Sequence, residues 1–121
     1  MKTEFYKERE GKKMKTKTIV WVSTLFEGCH RWLSAPNDVS FLRNYHRHIF
    51  DVKLGVEVTG DDREIEFFQL KRKVDKYINK QYEGKSFDFS CEMIAKQLLI
   101  IFNACFVEVS EDGENGATVS V

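Results

Sequence analysis

The clearest pattern in the chain is a strict alternation of two kinds of position over residues 46–58. Every second residue forms one apolar set that begins with two histidines: His46, His48, Phe50, Val52, Leu54, Val56 and Val58. Side chains two apart share one face of a strand. The alternation therefore predicts a long strand with one buried face. Because the two histidines continue the apolar face, they are expected to lie at the end of a buried surface.

A second strand is predicted before this one. Residues 17–28 are rich in β-branched and aromatic side chains, which favour strands. Residues 34–38 contain the only proline of the chain and predict a loop. Residues 59–62 carry the Gly and Asp that favour a turn.

Apolar residues then change to helical spacing. Over residues 67–82 the positions that share one helix face are Phe67, Leu70, Val74, Tyr77, Ile78 and Gln81. Ser90 is placed to cap a second helix that runs to about residue 103. Residues 105–109 and 117–121 predict two further strands joined by a turn at 112–116.

The element order β-β-α-α-β-β predicts an α+β fold. Its expected form is a four-stranded antiparallel sheet with two helices on one face. Residues 16–121 are interpreted as a single domain, and residues 1–15, which are rich in Lys and Glu, as a charged N-terminal extension.

Composition narrows the possible partners. The 121 residues carry zero formal net charge, so there is no broad electrostatic case for nucleic acid or an anionic membrane. No apolar run approaches the length of a membrane span. The three cysteines lack the CxxC spacing of a metal or redox motif, which favours reduced thiols and a cytoplasmic location.

All three histidines fit one candidate metal site. His46 and His48 share a strand face, and His30, which follows the first predicted strand, can complete the set. Three imidazoles with a fourth position left open are the usual arrangement of catalytic zinc. The alternative interpretation is that these histidines are ordinary core or surface residues.

Five short segments, in this order, resemble one enzyme family. Residues 26–31 (FEGCHR), 44–48 (NYHRH), 65–71 (IEFFQLK), 90–95 (SCEMIA) and 107–111 (VEVSE) are similar to segments of the 6-pyruvoyltetrahydropterin and 6-carboxytetrahydropterin synthases. The resemblance runs from about residue 17 to the C-terminus. It implies the tunnelling fold, in which sheets of several subunits join into a barrel, and hence a homotrimer or homohexamer.

The resemblance also implies a function. His30, His46 and His48 would bind Zn²⁺, and Glu111 would anchor a pterin ring. Ser90, Cys91 and Glu92 would be further substrate contacts. The implied activity is a lyase reaction on 7,8-dihydroneopterin triphosphate, in a tetrahydropterin or a 7-deazaguanine (queuosine-type) pathway. Three arginines are candidates for the triphosphate: Arg31, Arg43 and Arg47.

The departures from the family concern proton transfer. The family's catalytic cysteine lies four or six residues before the second histidine, where this chain has Leu42 and Ser40. Its Asp-His pair after the first helix has no counterpart. The catalytic base is thus unassigned, and the substitutes considered are Glu83, Asp38 and Ser40.

Two functions of different class follow from this mixture. The first is a zinc-dependent lyase of the pterin synthase type. The second is a catalytically inactive or repurposed relative that binds a pterin or purine. An enzyme with a changed substrate and a new base is a third possibility, which Tyr45 and Arg47 in place of two family glycines would accommodate.

Overall fold

The computed structural model describes residues 15–121, which form one five-stranded sheet with two α-helices packed on one face. The strands are β1 (Thr18–His30), β2 (His46–Val58), β3 (Ser86–Phe87), β4 (Phe106–Glu111) and β5 (Asn115–Ser120), in the spatial order β3-β1-β2-β4-β5. The helices are α1 (Phe67–Gln81), α2 (Cys91–Phe102) and a short 3-10 helix (Asn37–Arg43). The predicted α+β class is confirmed.

The antiparallel pairing of β1 with β2 extends over the full length of both strands. It runs from Thr18 opposite Val58 to His30 opposite His46. Even-numbered residues of both strands therefore point to the helix side, and odd-numbered residues to the other side. The pairing brings the last residue of β1 beside the first residue of β2, and both are histidines.

The long elements agree with the sequence pattern, while the number of strands does not. Strand β2 has the bounds that the alternation predicts, and the ends of the other predicted helices and strands lie within two residues of those observed. The prediction of a four-stranded, wholly antiparallel sheet was wrong, because β3 adds a fifth strand parallel to β1. Two residues are too few to show an alternation in the sequence.

Backbone hydrogen bonds just before β3 hold the segment after α1 against β1. The amide of Gly84 donates to the carbonyl of Glu27 (2.7 Å), and the amide of Cys29 donates to the carbonyl of Lys85 (2.9 Å). Part of the predicted loop is also regular, since residues 37–43 form the 3-10 helix. The charged extension proposed for residues 1–15 lies almost wholly outside the described residues.

Side chains at the N-termini hold both helices in place. Ser90 caps α2 as predicted, since its hydroxyl accepts a hydrogen bond from the amide of Met93 (3.1 Å). Glu66 caps α1 by accepting from the amides of Phe68 and Gln69. These bonds, chiefly the one from Phe68, lower the pKa of the Glu66 carboxyl.

The core lies between the helices and the even-numbered face of β1 and β2. Its largest fully buried side chains are Phe26, Phe50, Val52, Leu54, Val74, Ile78, Tyr82, Ile94, Leu98, Val107 and Val109. Phe26 and Phe50 stack with ring centroids 4.8 Å apart. The Phe50 ring also meets the imidazoles of His30 (5.2 Å) and His48 (5.7 Å) edge-on. The histidines therefore rest on the aromatic end of the core.

None of the helices within residues 15–121 is both long and apolar enough to cross a membrane.

Replacing the aromatic support of the histidines should destabilise the fold. Phe50→Ala leaves a cavity in a fully buried position, and we expect it to lower the free energy of unfolding by about 3–5 kcal/mol. The matched control is Phe68→Ala, whose side chain is 68% exposed and should cost no more than about 0.5 kcal/mol. Urea unfolding followed by circular dichroism measures both. Equal losses in the two variants would contradict this description of the core.

Candidate metal centre

Three histidines converge at one end of the sheet. His30 closes β1, whereas His46 and His48 open β2 on the same face. One ligand nitrogen from each lies within 4.8 Å of the others. His30 is 7% exposed and the other two are half-buried. The cluster that the sequence predicts is therefore brought together, and it could hold a metal ion.

Two backbone carbonyls orient two of the rings. Nδ1 of His30 donates to the carbonyl of Phe89 (2.8 Å), and Nδ1 of His46 donates to the carbonyl of Asn44 (2.9 Å). A carbonyl oxygen can only accept, so Nδ1 carries the hydrogen in both rings. The lone pair of each neutral imidazole is then on Nε2. This is the usual way in which a protein prepares histidine to bind a metal.

A carboxylate orients the third ring. Nδ1 of His48 donates to Oδ2 of Asp112 (2.7 Å), and the amide of Ile49 donates to Oδ1 of the same carboxylate (2.9 Å). These two hydrogen bonds, the one from Ile49 most strongly, lower the pKa of Asp112. Asp112 is therefore ionised at neutral pH and acts as an acceptor, which leaves Nε2 of His48 as the free nitrogen.

Glu111 lies against the free nitrogens of its own chain. Its Oε2 is 2.9 Å from Nε2 of His30, and its Oε1 is 3.5 Å from Nε2 of His48. The glutamate is the last residue of β4 and pairs with Phe50 of β2, so it points to the face that carries the histidines. The family resemblance implies that Glu111 contacts a substrate, and the structure places its carboxylate beside the three histidines.

The donor set fits a transition-metal ion. The three imidazole nitrogens are borderline ligands and the nearby carboxylate oxygen is a hard ligand, and zinc binds both kinds. The same donors suit other divalent ions of the first transition row. The chemistry of the site thus supports a metal ion without selecting zinc among them.

A cavity of about 570 Å³ opens beside the cluster. The site residues that line it are His30, His46, Ser90, Cys91, Glu92 and Glu111. All four residues that the sequence assigned to substrate therefore meet in one cavity with two of the histidines. Trp32, Leu42, Phe89 and Met93 supply its apolar walls, and such a mixture of apolar walls and few polar groups is typical of small-molecule sites.

The thiol of Cys91 is not activated as a nucleophile or as a base. Burial raises the pKa of its thiol to about 12, and the charges of Glu111 and Glu92 act in the same direction. Its Sγ lies 3.9 Å from Oε2 of Glu111. The residue is therefore a neutral thiol at physiological pH, which donates weakly to the carboxylate.

The three substitute bases do not line the cavity. Asp38 and Ser40 are exposed on the 3-10 helix. Glu83 accepts a hydrogen bond from the backbone amide of Glu27 (3.2 Å), three residues before the end of β1. Leu42, at a position where the resembled family has its cysteine, does line the cavity.

Of the three candidate arginines, only Arg31 reaches the cavity. Arg43 donates to the carbonyl of Ala35 (2.8 Å) and to Asn37 (3.0 Å), and Arg47 pairs with Glu27 on the opposite face of the sheet. These two have structural partners that hold them away from the site.

Arg31 is fixed by neighbours that the sequence analysis did not identify. Its Nε donates to Oδ1 of Asp88 (3.0 Å), and its guanidinium lies over the Tyr45 ring at 4.3 Å. Asp88 and Asp112 were both missed, because an aspartate in a loop or turn has the same sequence signature whether or not it holds a functional side chain.

The Asp112 contact gives a direct test of the metal centre. Asp112→Asn keeps the oxygen that accepts from Ile49 but replaces Oδ2 with an amide group, which cannot accept from Nδ1 of His48. We expect the affinity for Zn²⁺ to fall about 10–100-fold, as for other changes to groups that orient metal ligands. Competition with a chromogenic chelator measures the affinity. The control is Glu114→Gln, an exposed carboxylate of the same turn, and equal affinities for both variants would refute the role of Asp112.

Comparisons with known proteins support the fold alone. No protein-family model and no curated protein matches this chain. A crystal structure of an uncharacterized protein from Wolinella succinogenes is similar, with a TM-score of 0.64 over 85% of this chain and 98% of that one, at 15% sequence identity. The architecture described above therefore occurs in an experimentally determined structure.

Proposed function

We propose that this protein is a zinc-dependent lyase of the tunnelling-fold type that acts on 7,8-dihydroneopterin triphosphate. The observation that carries the proposal is the cluster of three oriented imidazoles, two of which line a cavity together with the carboxylates of Asp88, Glu92 and Glu111. The ordered resemblance of five sequence segments supports the choice of substrate. A bound zinc ion would supply Lewis acidity toward the hydroxyl groups of the substrate side chain.

Residues that line the cavity match the pterin ring and the phosphate group of such a substrate. Glu92 and Glu111 offer carboxylates to the cavity, and a carboxylate can accept two parallel hydrogen bonds from the N–H and amino groups of a pterin ring. Arg31 uses only its Nε for Asp88. Its terminal nitrogens would be the donors to a phosphate at the cavity.

A second function is favoured by one specific observation. Leu42 lines the cavity where the resembled enzymes carry their catalytic cysteine, and the thiol of Cys91 has a pKa of about 12. A side chain that moves a proton contributes about 10²–10⁴-fold to a rate. The alternative is therefore a relative that binds a pterin or purine at the metal without turnover.

We further propose a homotrimer or homohexamer. Strand β5 forms one edge of the described sheet, and on the other edge β3 covers only the last two residues of β1. Along the remainder, the Nζ of Lys71 donates to the carbonyl of Ser23 (2.8 Å). Long unpaired edges favour pairing with another chain, and joining of the two edges between subunits would close a barrel.

Metal dependence is the first test of the proposal. Purified wild-type protein should contain about one zinc per chain and convert 7,8-dihydroneopterin triphosphate, because three imidazoles suffice for a catalytic site. The double variant His46→Ala/His48→Ala should lose both the metal and the activity. Elemental analysis and a chromatographic assay measure them. Arg47→Ala, which lies between the two histidines on the opposite face, serves as the control, and a folded wild-type oligomer without zinc would refute the proposal.

A gain-of-function variant separates the enzyme from the binding protein. Leu42→Cys should raise turnover of the same substrate by about 10²–10⁴-fold if only the proton-transferring group is missing. Leu33→Cys adds a thiol at a 59% exposed position outside the cavity lining and should leave turnover unchanged. Substantial wild-type turnover that Leu42→Cys does not increase supports a lyase with a different base. Tight binding without turnover in the wild type supports the alternative function.

A further inference from the structure

We propose that Glu111 is a fourth protein ligand of the metal in the substrate-free protein. The donor set is then three imidazole nitrogens and one carboxylate, instead of three imidazoles with an open position. The inference rests on the metal centre of the proposed function. It gives Glu111 a role different from the ring contact that the sequence resemblance implies.

The carboxylate spans two of the metal-binding histidines. Oε2 lies 2.9 Å from Nε2 of His30, and Oε1 lies 3.5 Å from Nε2 of His48. Each oxygen of Glu111 thus faces a different ring at the nitrogen that is free to bind a metal. A glutamate that only lined the substrate cavity would point its oxygens into the open volume.

These contacts place a carboxylate at the nitrogens that are free to bind a metal. Nδ1 of His30 and of His48 each donates to an oxygen, so Nε2 is the atom that each ring offers to a metal. A divalent ion bound by these two nitrogens would lie within reach of the Glu111 carboxylate, and His46 brings a third nitrogen to the same place. One divalent ion satisfies all four groups together.

Glu111 is held in this position from three sides. Its backbone is fixed in β4 opposite Phe50. The side-chain Nδ2 of Asn115 donates to Oε1 (3.4 Å), and the thiol of Cys91 lies 3.9 Å from Oε2. The side chain is 22% exposed, so its carboxylate is largely withdrawn from solvent. Orientation by surrounding groups of this kind is typical of metal ligands.

Glu92 provides the contrast within the same cavity. It is an exposed residue of the first turn of α2 and lines the cavity together with Glu111. No hydrogen bond or ion pair joins its carboxylate to a histidine within residues 15–121. Glu111 therefore binds the metal, whereas Glu92 remains free to contact a ligand in the cavity.

The zinc affinity of three variants tests the inference. Glu111→Gln removes the charge of the fourth ligand, and Glu111→Asp keeps the charge but shortens the side chain by one methylene. Both should weaken Zn²⁺ binding by at least about 10-fold, the lower bound for changes around a metal ligand. Glu92→Gln removes a cavity carboxylate that does not contact the histidines and should retain the wild-type zinc affinity. Circular dichroism establishes that each variant is folded.

Cobalt substitution gives a second readout that does not depend on activity. The visible absorption of Co²⁺ reports its coordination number and ligands, so the spectrum should change in Glu111→Gln and Glu111→Asp and stay the same in Glu92→Gln. Wild-type affinity and spectrum in both Glu111 variants would overturn the inference while leaving the three-histidine centre intact. Failure of the wild-type protein to bind either metal would overturn the inference and the proposed function together.

Discussion

The thirteen-residue pairing of β1 with β2 is the constraint on which the rest of the structure depends. Its register aligns the even-numbered residues of both strands, which gives the sheet one continuous apolar face for the two helices. The same register places His30 opposite His46. A slip by one residue would turn every side chain of one strand to the other face. Core packing and the three-histidine cluster therefore require the same alignment.

The aromatic side chains at one end of the core contact the histidine cluster directly. Phe50 stacks on Phe26 within the core and meets the imidazoles of His30 and His48 on its other side. Packed side chains below the imidazole rings and hydrogen bonds at Nδ1 thus limit the orientations that these rings can adopt. Because the groups are fixed before any ion arrives, little conformational entropy needs to be lost on binding.

The long strands and helices could be predicted from the sequence because their periodic patterns extend over many residues. The alternation over residues 46–58 gave the bounds of β2 and the common face of His46 and His48, and Ser90 was identified as a cap from its place before an apolar helix. Strand β3 was not predicted because its two residues are too few to show a periodic pattern. Hydrogen bonds to the carbonyls of Phe89 and Asn44 could not be foreseen either, since every residue has a carbonyl group.

The segment between α1 and α2 holds His30 by two independent contacts. Phe87 pairs with the backbone of His30 in the sheet, and two residues later the carbonyl of Phe89 accepts from its ring. The three residues from Phe87 to Phe89 therefore fix the main chain and the ring of His30 together. A change of length within these three residues would move the imidazole relative to the strand that carries it, whereas residues added before Phe87 would leave both contacts in place.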